Sequence, residues 1–290
     1  MKTPVEISRG FLFCLFFSIF FLISGCATLS SALDPRITAD KIARESLFSK
    51  EFIKTDFFTL LSYSSLKNPG QLLTVYIEGD GRAWLSKNCL SDDPTPVHPL
   101  VLRLAAMDLT PNVAYLARPC QYISDEHCDS VYWSDKRFAE EVIASMNQAI
   151  DRLKHEAKAQ TIRLVGYSGG GAIAVLVTAR RHDVASLCTI AGNLDHKALN
   201  EFHHVTPLVG SLNPIDFAAA ISRVPQVHFV GGKDKIVPAF IAKRFVARAQ
   251  NPLSLKIIEI HNASHGSGWD RAWMEYCGKS SDEDLINEHK

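Results

Sequence analysis

From residue 72 onward, the chain alternates short apolar runs with polar loops and with stretches whose apolar positions recur at helical spacing. The apolar runs are continuous, as in strands that are covered on both faces of a sheet. This alternation predicts an α/β fold with a mostly parallel, doubly wound sheet and helices on both faces. The predicted strands are residues 72–78, 113–116, 162–165, 187–191, 227–230 and 255–260, and the predicted helices are residues 99–107, 135–157, 172–182, 239–249 and 269–277.

Two parts of the chain depart from this alternation. Residues 30–68 mix helical periodicity with polar positions and predict no strand. Residues 197–224 are longer than a simple crossover and contain two prolines and a glycine, which predicts a small insertion, or cap, over one end of the sheet. Because the chain has no linker and no internal repeat, we expect one α/β domain over residues 71–290, preceded by a lead-in segment over residues 26–70.

The first 25 residues have the layout of a secretory signal. Two basic residues precede an apolar run over residues 11–23, which has the length of a signal core and falls short of the roughly 20 residues that span a bilayer. Residues 23–26 read Ile-Ser-Gly-Cys and resemble the lipobox of bacterial lipoproteins, in which cleavage precedes the cysteine and lipid is attached to it. We therefore expect residues 1–25 to be a lipoprotein signal peptide and Cys26 to carry the lipid. The alternative is an ordinary signal peptide, or an uncleaved anchor in which Cys26 is incidental.

The residue after this cysteine is an alanine, which resembles the outer-membrane sorting class. The expected location is therefore the bacterial cell envelope, anchored in the outer membrane and facing the periplasm. Export implies an oxidising compartment in which disulfides persist. Cys120 and Cys128 bracket a short polar loop, and we expect them to form a disulfide worth roughly 2–3 kcal/mol. Cys188 lies in a predicted strand and is expected to be a buried thiol, whereas pairing of Cys89 with Cys277 is left open.

The overall composition narrows the range of functions. The chain has 31 Lys and Arg against 31 Asp and Glu, and 47% of its 290 residues are hydrophobic. This profile excludes a disordered chain and lacks the basic character of a nucleic-acid-binding protein, so we expect no nucleic-acid partner. Neither a Cys-x-x-Cys nor a His-Glu-x-x-His pattern occurs, and we expect neither a metal nor a cofactor.

A motif that carries chemistry lies between a predicted strand and a predicted helix. Residues 166–170 read Gly-Tyr-Ser-Gly-Gly. In this setting, Gly-x-Ser-x-Gly is typical of a tight, strained turn that exposes the hydroxyl of Ser168 at the end of the sheet. The alternative is a phosphate-binding turn at a helix N-terminus, although the lysine of a Walker loop is missing.

A nucleophilic serine needs a base, and the base needs a group that fixes its tautomer. Asp234 and His265 each follow a predicted strand, at the edge of the sheet where ligands of parallel sheets bind. Asp195, in the loop after the preceding strand, competes with Asp234 for the role of the acid. His261 is too close to the end of its strand to be preferred.

These residues in this order carry a resemblance to a known family. Residues 72–276 resemble an α/β-hydrolase, whose triad follows the chain order Ser, Asp, His. As a whole, the chain resembles exported α/β-hydrolase lipoproteins of bacteria. The resemblance implies that Ser168 is the nucleophile, His265 the general base and then the acid, and Asp234 the carboxylate that orients the histidine.

The resemblance also implies two backbone N–H donors for the oxyanion of acyl transfer. One is the N–H of Gly169, directly after the nucleophile. The other is expected from the Glu-Gly-Asp-Gly sequence after the first predicted strand, which resembles the His-Gly-x-Gly oxyanion loop. It aligns Asp80 as the donor, with Gly81 as a second candidate and a plain hairpin turn as the alternative for the loop. Its carboxylates would disfavour anionic substrates unless Arg82 or Arg118 compensates.

The sequence thus predicts an exported, lipid-anchored serine hydrolase that acts through an acyl-enzyme, on a small-molecule or lipid ester of a carboxylic acid. A peptidase, amidase, thioesterase or acyltransferase on the same triad is an alternative, because the motif specifies the nucleophile and not the leaving group. A non-catalytic binding lipoprotein of the envelope is an alternative of a different class.

Overall fold

The computed structural model describes residues 34–86, 88–249 and 254–277. The predicted signal peptide over residues 1–25 and the predicted lipid attachment at Cys26 lie outside the described residues. The side chain of Cys277 also lies outside them, while Cys89 is an exposed free thiol.

The described residues form ten strands, and eight of them make up one sheet at the centre of the fold. In chain order the strands are β1 (Ser49–Lys54), β2 (Thr59–Leu66), β3 (Leu73–Ile77), β4 (Trp84–Ser86), β5 (Cys89–Leu90), β6 (Asn112–Leu116), β7 (Ile162–Tyr167), β8 (Val184–Ile190), β9 (Gln226–Gly231) and β10 (Leu255–Ile260). Across the large sheet the order is β1-β2-β6-β3-β7-β8-β9-β10, and β4 and β5 form a separate hairpin. β2 pairs antiparallel with β1 and with β6, whereas β6, β3, β7, β8, β9 and β10 run parallel.

Helices cover both faces of the sheet. They are α1 (Pro35–Glu45), α2 (Leu100–Met107), α3 (Glu140–Glu156), α4 (Gly169–Thr178), α5 (His196–His203), α6 (Phe240–Arg248) and α7 (Asp270–Cys277), with 3-10 turns at Ser130–Trp133 and Pro214–Phe217. One buried cluster joins the sheet to α3, α4 and α6, and a second cluster joins it to α1, α2 and α7. The predicted α/β fold, with a mostly parallel sheet and helices on both faces, is therefore confirmed.

The six strands and five helices predicted from the sequence are all present, and most have shifted ends. The largest shift of a single end is at the start of the predicted helix over residues 135–157, because α3 begins only at Glu140. Ala139 is extended at the N-cap, and Glu140 and Glu141 then stand in the first turn, where acidic side chains favour the positive end of the helix dipole. The predicted insertion over residues 197–224 contains most of α5 and the 3-10 turn Pro214–Phe217.

Two strands in the lead-in segment were missed. β1 and β2 extend the large sheet on one side, over residues in which the pattern predicts no strand. β1 is an edge strand with a single buried residue, Ile53, and β2 buries the polar side chain of Ser62, whose hydroxyl donates to the carbonyl of Tyr115. Neither strand has the continuous apolar run of a buried parallel strand, because an edge strand and an antiparallel neighbour are built from mixed residues.

The strand order brings two distant loops together. β3 lies between β6 and β7, and Ile77 at the end of β3 is paired with Gly166 near the end of β7. Connections leave these two strands in different directions across the sheet, which makes their carboxyl ends a topological switch point, the usual ligand position in such folds. The loop after β3 and the turn after β7 meet there.

Candidate active site

Ser168 occupies the turn between β7 and α4 in a conformation that L-residues rarely adopt. Its φ is 52° and its ψ is −119°, a strained region that persists only where the surroundings enforce it. Its N–H donates to the carbonyl of Ile190 on the neighbouring strand (2.9 Å), and its own carbonyl accepts from the N–H of Asn193 (2.9 Å). The backbone is thus fixed on both sides, and the side chain is left at the end of the sheet.

Two glycines allow this turn to be so tight. A Cβ on Gly170 would overlap the carbonyl oxygens of Ile77 and Glu78, and a Cβ on Gly166 would overlap the carbonyl of Gly170. The helix α4 consequently approaches the sheet more closely than any side chain would permit. This is the geometry that the Gly-x-Ser-x-Gly spacing predicts.

His265 connects the serine to a carboxylate. Its Nε2 lies 3.0 Å from Ser168 Oγ, and its Nδ1 lies 2.9 Å from Asp234 Oδ2. The backbone carbonyl of His265 accepts from the hydroxyl of Tyr167 (3.0 Å) and from the indole N–H of Trp269 (2.9 Å). The imidazole is therefore held from its backbone as well as from its ring, and the three predicted site residues form one hydrogen-bonded chain.

The two oxygens of Asp234 have separate partners. Oδ1 accepts from the backbone N–H groups of Ile236 (2.8 Å) and Val237 (2.9 Å), which leaves Oδ2 for His265. The side chain of Asp234 is 0% exposed. Because an ionised carboxylate only accepts hydrogen bonds, Nδ1 must carry the ring proton, and the lone pair of Nε2 then points at Ser168.

The competing acid, Asp195, has a structural position. It caps α5 by accepting from the N–H of Ala198 (3.2 Å), and it also accepts from Asn213 Nδ2 (3.0 Å) and Arg244 Nε (3.0 Å). None of these three partners of its carboxylate is His265. Asp195 is as deeply buried as a catalytic carboxylate, but it stabilises a helix start and an ion pair.

The loop after β3 lies against the nucleophile. A Cβ on Gly79 would stand 3.3 Å from Ser168 Cβ. The N–H of Gly79 donates to Glu78 Oε1 (2.9 Å), whereas the N–H groups of Asp80 and Gly81 donate to no group in the described part of the chain. Gly169 opens α4, so its N–H has no intrahelical acceptor either. Unused backbone N–H groups thus lie directly after Ser168 in the chain and in the loop that packs against it.

Glu78 begins this loop, at the position that the resemblance gives to a histidine. The side chain is fully buried, and its second oxygen accepts from the hydroxyl of Tyr115 (3.0 Å). Burial raises the pKa of Glu78 to about 7, against the opposing effects of these hydrogen bonds and of Arg118. Glu78 therefore holds the loop through its neighbours and does not reach the serine.

Asp80 is held by two arginines. Its Oδ1 pairs with Arg118 Nη1 and its Oδ2 accepts from Arg137 Nη1 (3.1 Å). Burial alone would raise the pKa of Asp80, but Arg137 and Arg118 outweigh it and hold the pKa below its ordinary value. Of the two compensating cations expected from the sequence, Arg118 is present at the site and Arg82 is exposed.

Arg137 is the site residue that the sequence did not indicate. It lies in residues 135–138, which were predicted as the first turn of a helix and instead form a turn that precedes α3. Its partner Asp80 is 57 positions away in the chain, and no local pattern signals such a contact.

The remaining predicted features have clear positions. Cys120 and Cys128 are joined by a disulfide, as the sequence predicts, and Cys188 is buried in β8. Across the described ranges, no group of three or more His, Cys, Asp or Glu is arranged to hold a metal ion. Over the same ranges, no helix has the length and apolar character that crossing a membrane requires.

Comparison with known proteins identifies the fold of the chain. No protein-family model and no curated protein sequence matches the chain. Among solved structures, it is similar to the esterase Pf2001 of Pyrococcus furiosus (TM-score 0.59, 12% identity, 83% of this chain and 93% of that one). It is also similar to Est1E of Butyrivibrio proteoclasticus (0.55, 14%, 82% and 97%) and to 39% of the acylaminoacyl peptidase of Pyrococcus horikoshii (0.57, 12%, 79% of this chain). The chain therefore has the α/β-hydrolase fold.

Proposed function

We propose that this protein is a serine hydrolase that cleaves esters of carboxylic acids through an acyl-enzyme. The observation that carries the proposal is the hydrogen-bonded chain from Ser168 through His265 to Asp234, at the carboxyl edge of an α/β-hydrolase sheet. The strained conformation of Ser168 supports the same function, because strain of this kind concentrates at functional sites.

The proposed reaction begins with attack of Ser168 Oγ on the ester carbonyl carbon. His265 Nε2 takes the hydroxyl proton as the new C–O bond forms, and the charge on the imidazolium is stabilised by Asp234. The negative charge that develops on the carbonyl oxygen is met by the N–H groups of Gly169 and Asp80. When the ester C–O bond breaks, His265 returns the proton to the leaving alcohol.

Water completes the cycle. It enters where the alcohol has left, gives a proton to His265 Nε2 and attacks the acyl carbon. The acid leaves as the bond to Ser168 Oγ breaks, and the serine recovers its proton from the imidazolium. Each proton moves over the 3.0 Å contact between His265 Nε2 and Ser168 Oγ, or over its equivalent with water, so the reaction needs no other proton carrier.

The experiment that tests this proposal compares wild type, Ser168→Ala and Ser267→Ala. Ser267 is an exposed serine two positions from His265 and serves as the matched control. We expect wild type and Ser267→Ala to be labelled by a fluorophosphonate and to release nitrophenol from 4-nitrophenyl esters, and Ser168→Ala to do neither. Folded wild-type protein that neither labels nor turns over would support a non-catalytic binding protein instead.

Amide cleavage is the second candidate, because one structural neighbour is an acylaminoacyl peptidase. The two activities differ in the leaving group that His265 must protonate, and the described site fits either group. Parallel assays with 4-nitroanilides of the same acids separate them. Because nitrophenyl esters are intrinsically more reactive, each kcat/KM is divided by the rate of uncatalysed hydrolysis. A larger rate enhancement for the anilide than for the ester would reassign the protein as an amidase or peptidase.

We also propose that a lipid on Cys26 anchors the chain to the outer membrane, facing the periplasm. The lipobox-like Ile-Ser-Gly-Cys sequence is the support.

Eight chain steps separate Cys26 from Asp34, a reach of at most about 28 Å. Arg36 at the start of α1 donates to the carbonyl of Tyr122, in the loop next to Gln121, which in turn holds Gly79. A lipid tether would thus keep lipid esters near the site. A Cys26→Ala variant that still incorporates labelled palmitate would disprove the lipid attachment at Cys26.

A further inference from the structure

Two arginines with largely enclosed side chains share a single carboxylate next to the nucleophile's loop. The side chains of Arg118 and Arg137 are 4% and 14% exposed, and both pair with Asp80. Glu78 adds no ion pair to either arginine, because its oxygens are taken by the N–H of Gly79 and the hydroxyl of Tyr115. Burial raises the pKa of Glu78 to about 7, and below that pH Glu78 is mostly uncharged. The cluster of Arg118, Arg137 and Asp80, called here the arginine cluster, then has one positive charge in excess.

The guanidinium groups also carry donors that are not used. The Nε of Arg118 and the Nε of Arg137 are both buried and have no hydrogen-bond partner among the described residues. A buried donor without an acceptor costs about 1–3 kcal/mol, and more when it belongs to a charged group. Two such donors in one cluster, together with an unbalanced charge, indicate that an anionic acceptor belongs to this site.

The arginines are positioned before any ligand arrives. Both guanidinium groups lie over the ring of Phe138, with centroid distances of 5.3 Å for Arg118 and 5.6 Å for Arg137. Arg118 also donates through Nη2 to the carbonyl of Arg137. Stacking and this bond fix the planes of both guanidinium groups, and guanidinium groups are well suited to bind carboxylates.

The cluster lies next to the reacting atoms. A Cβ on Gly169, the residue after the nucleophile, would stand 2.7 Å from Arg118 Nη1 and would overlap Asp80 Oδ1. A group bound by these arginines is therefore within a short acyl chain of the carbonyl that Ser168 attacks. One negative charge completes the balance, whereas a phosphate monoester with a charge near −2 would exceed it beside Asp80.

We propose that the arginine cluster binds a carboxylate carried by the substrate, so that the natural substrate is an ester of a dicarboxylic or otherwise acid-bearing acyl group. The inference rests on the proposed hydrolase function and specifies its substrate class. The substrate carboxylate accepts hydrogen bonds from Arg118 and Arg137 and shares their charge with Asp80. Hydrolysis then releases an acid with two carboxylates.

The test compares 4-nitrophenyl monoesters of glutaric and adipic acid with 4-nitrophenyl pentanoate and hexanoate, using the full-length protein in detergent. Each pair has the same number of acyl carbons, so only the terminal carboxylate differs. We expect kcat/KM to be at least tenfold higher for the acidic member of at least one pair. If neither kind of ester is hydrolysed, the proposed function fails and this inference fails with it. If the neutral and acidic esters are hydrolysed with equal kcat/KM, this inference alone fails.

Variants of Arg137 separate binding from structural support. For Arg137→Gln, we expect the acidic-to-neutral ratio of kcat/KM to fall about tenfold, and for Arg137→Lys to keep an intermediate ratio because the charge remains. Arg152→Gln, which removes an exposed arginine paired with Glu156 on α3, is the control and should leave the ratio unchanged. A purely structural role would lower kcat/KM for both esters by the same factor, and that result would overturn the proposal.

Competition with unmodified protein covers the case in which the Arg137 variants do not fold. We expect monomethyl adipate to inhibit hydrolysis of the neutral hexanoate ester competitively, and inorganic phosphate at the same concentration to inhibit it at least tenfold less. Equal inhibition by the two anions, or inhibition by neither, contradicts a site built for one carboxylate.

Discussion

Asp234→Asn should abolish most of the turnover, although asparagine has nearly the same size and shape as aspartate. Asp234 Oδ1 already accepts from the N–H groups of Ile236 and Val237, so the amide nitrogen of an asparagine cannot take that place without opposing two donors. It is forced to the position of Oδ2 and becomes a donor toward His265. Nδ1 must then accept, and the ring proton moves to Nε2, where it faces Ser168.

The expected loss follows from that reversal of the tautomer. With a proton on Nε2, His265 cannot take the proton of Ser168 Oγ over their 3.0 Å contact. The negative charge that stabilises the imidazolium in the transition state is lost as well. The general value for such a change in a serine protease triad is about 10⁴ in kcat, and we expect about 10³- to 10⁴-fold here, which is about 4–5 kcal/mol of transition-state stabilisation.

The assay is steady-state release of nitrophenol by wild type, Asp234→Asn and Asp195→Asn. Asp195 is a matched control, because it is a buried aspartate with an ionic partner in Arg244 and a cap role at α5. Asp195→Asn should lower the free energy of unfolding by about 1 kcal/mol and leave kcat within a few-fold. If Asp195→Asn loses activity 10³-fold while Asp234→Asn does not, the assignment of the acid is refuted.

Three further predictions concern the surroundings of the site. Gly170→Ala should lower the free energy of unfolding by about 3 kcal/mol in urea titrations, because its Cβ would overlap two backbone carbonyls; a loss under 1 kcal/mol would contradict the close approach of α4. Glu78 keeps its proton up to about pH 7 in the folded protein and up to about pH 4.5 in the unfolded chain. As pH rises between those values, the free energy of unfolding of wild type should therefore fall by about 3 kcal/mol relative to that of Glu78→Gln. Equal pH profiles of the two proteins would show that Glu78 is ionised when folded. The Cys120→Ser/Cys128→Ser variant should lose about 2–3 kcal/mol, and unchanged thermal stability would show that the bridge does not form.

How much of the fold could be predicted depends on where each strand lies. β3, β7 and β9 follow from short apolar runs, because a strand in the middle of a parallel sheet is covered on both faces and leaves a continuous signal. β1 and β2 could not be found in this way. Their burial depends on pairing at one side of the sheet, which only the tertiary structure provides.

The candidate site divides in the same way. Ser168, Asp234 and His265 could be named from the sequence because each follows a predicted strand and parallel strands end at one edge. Arg137 could not, because its role is a charge interaction with Asp80 across the fold. Local sequence patterns identify residues whose positions follow from the order of the strands. They do not identify residues that reach the site through an ion pair with a residue far away in the chain.

The candidate site is assembled from the ends of β3, β7, β9 and β10, and its parts are far apart along the chain. Ser168 and His265 are separated by 97 positions, and the intervening strands must all pair before their side chains meet. Sheets of such non-local contacts form slowly compared with helical bundles. Because Ser168 and His265 come from different strand ends, we expect the time course of fluorophosphonate labelling after dilution from urea to follow formation of the sheet itself.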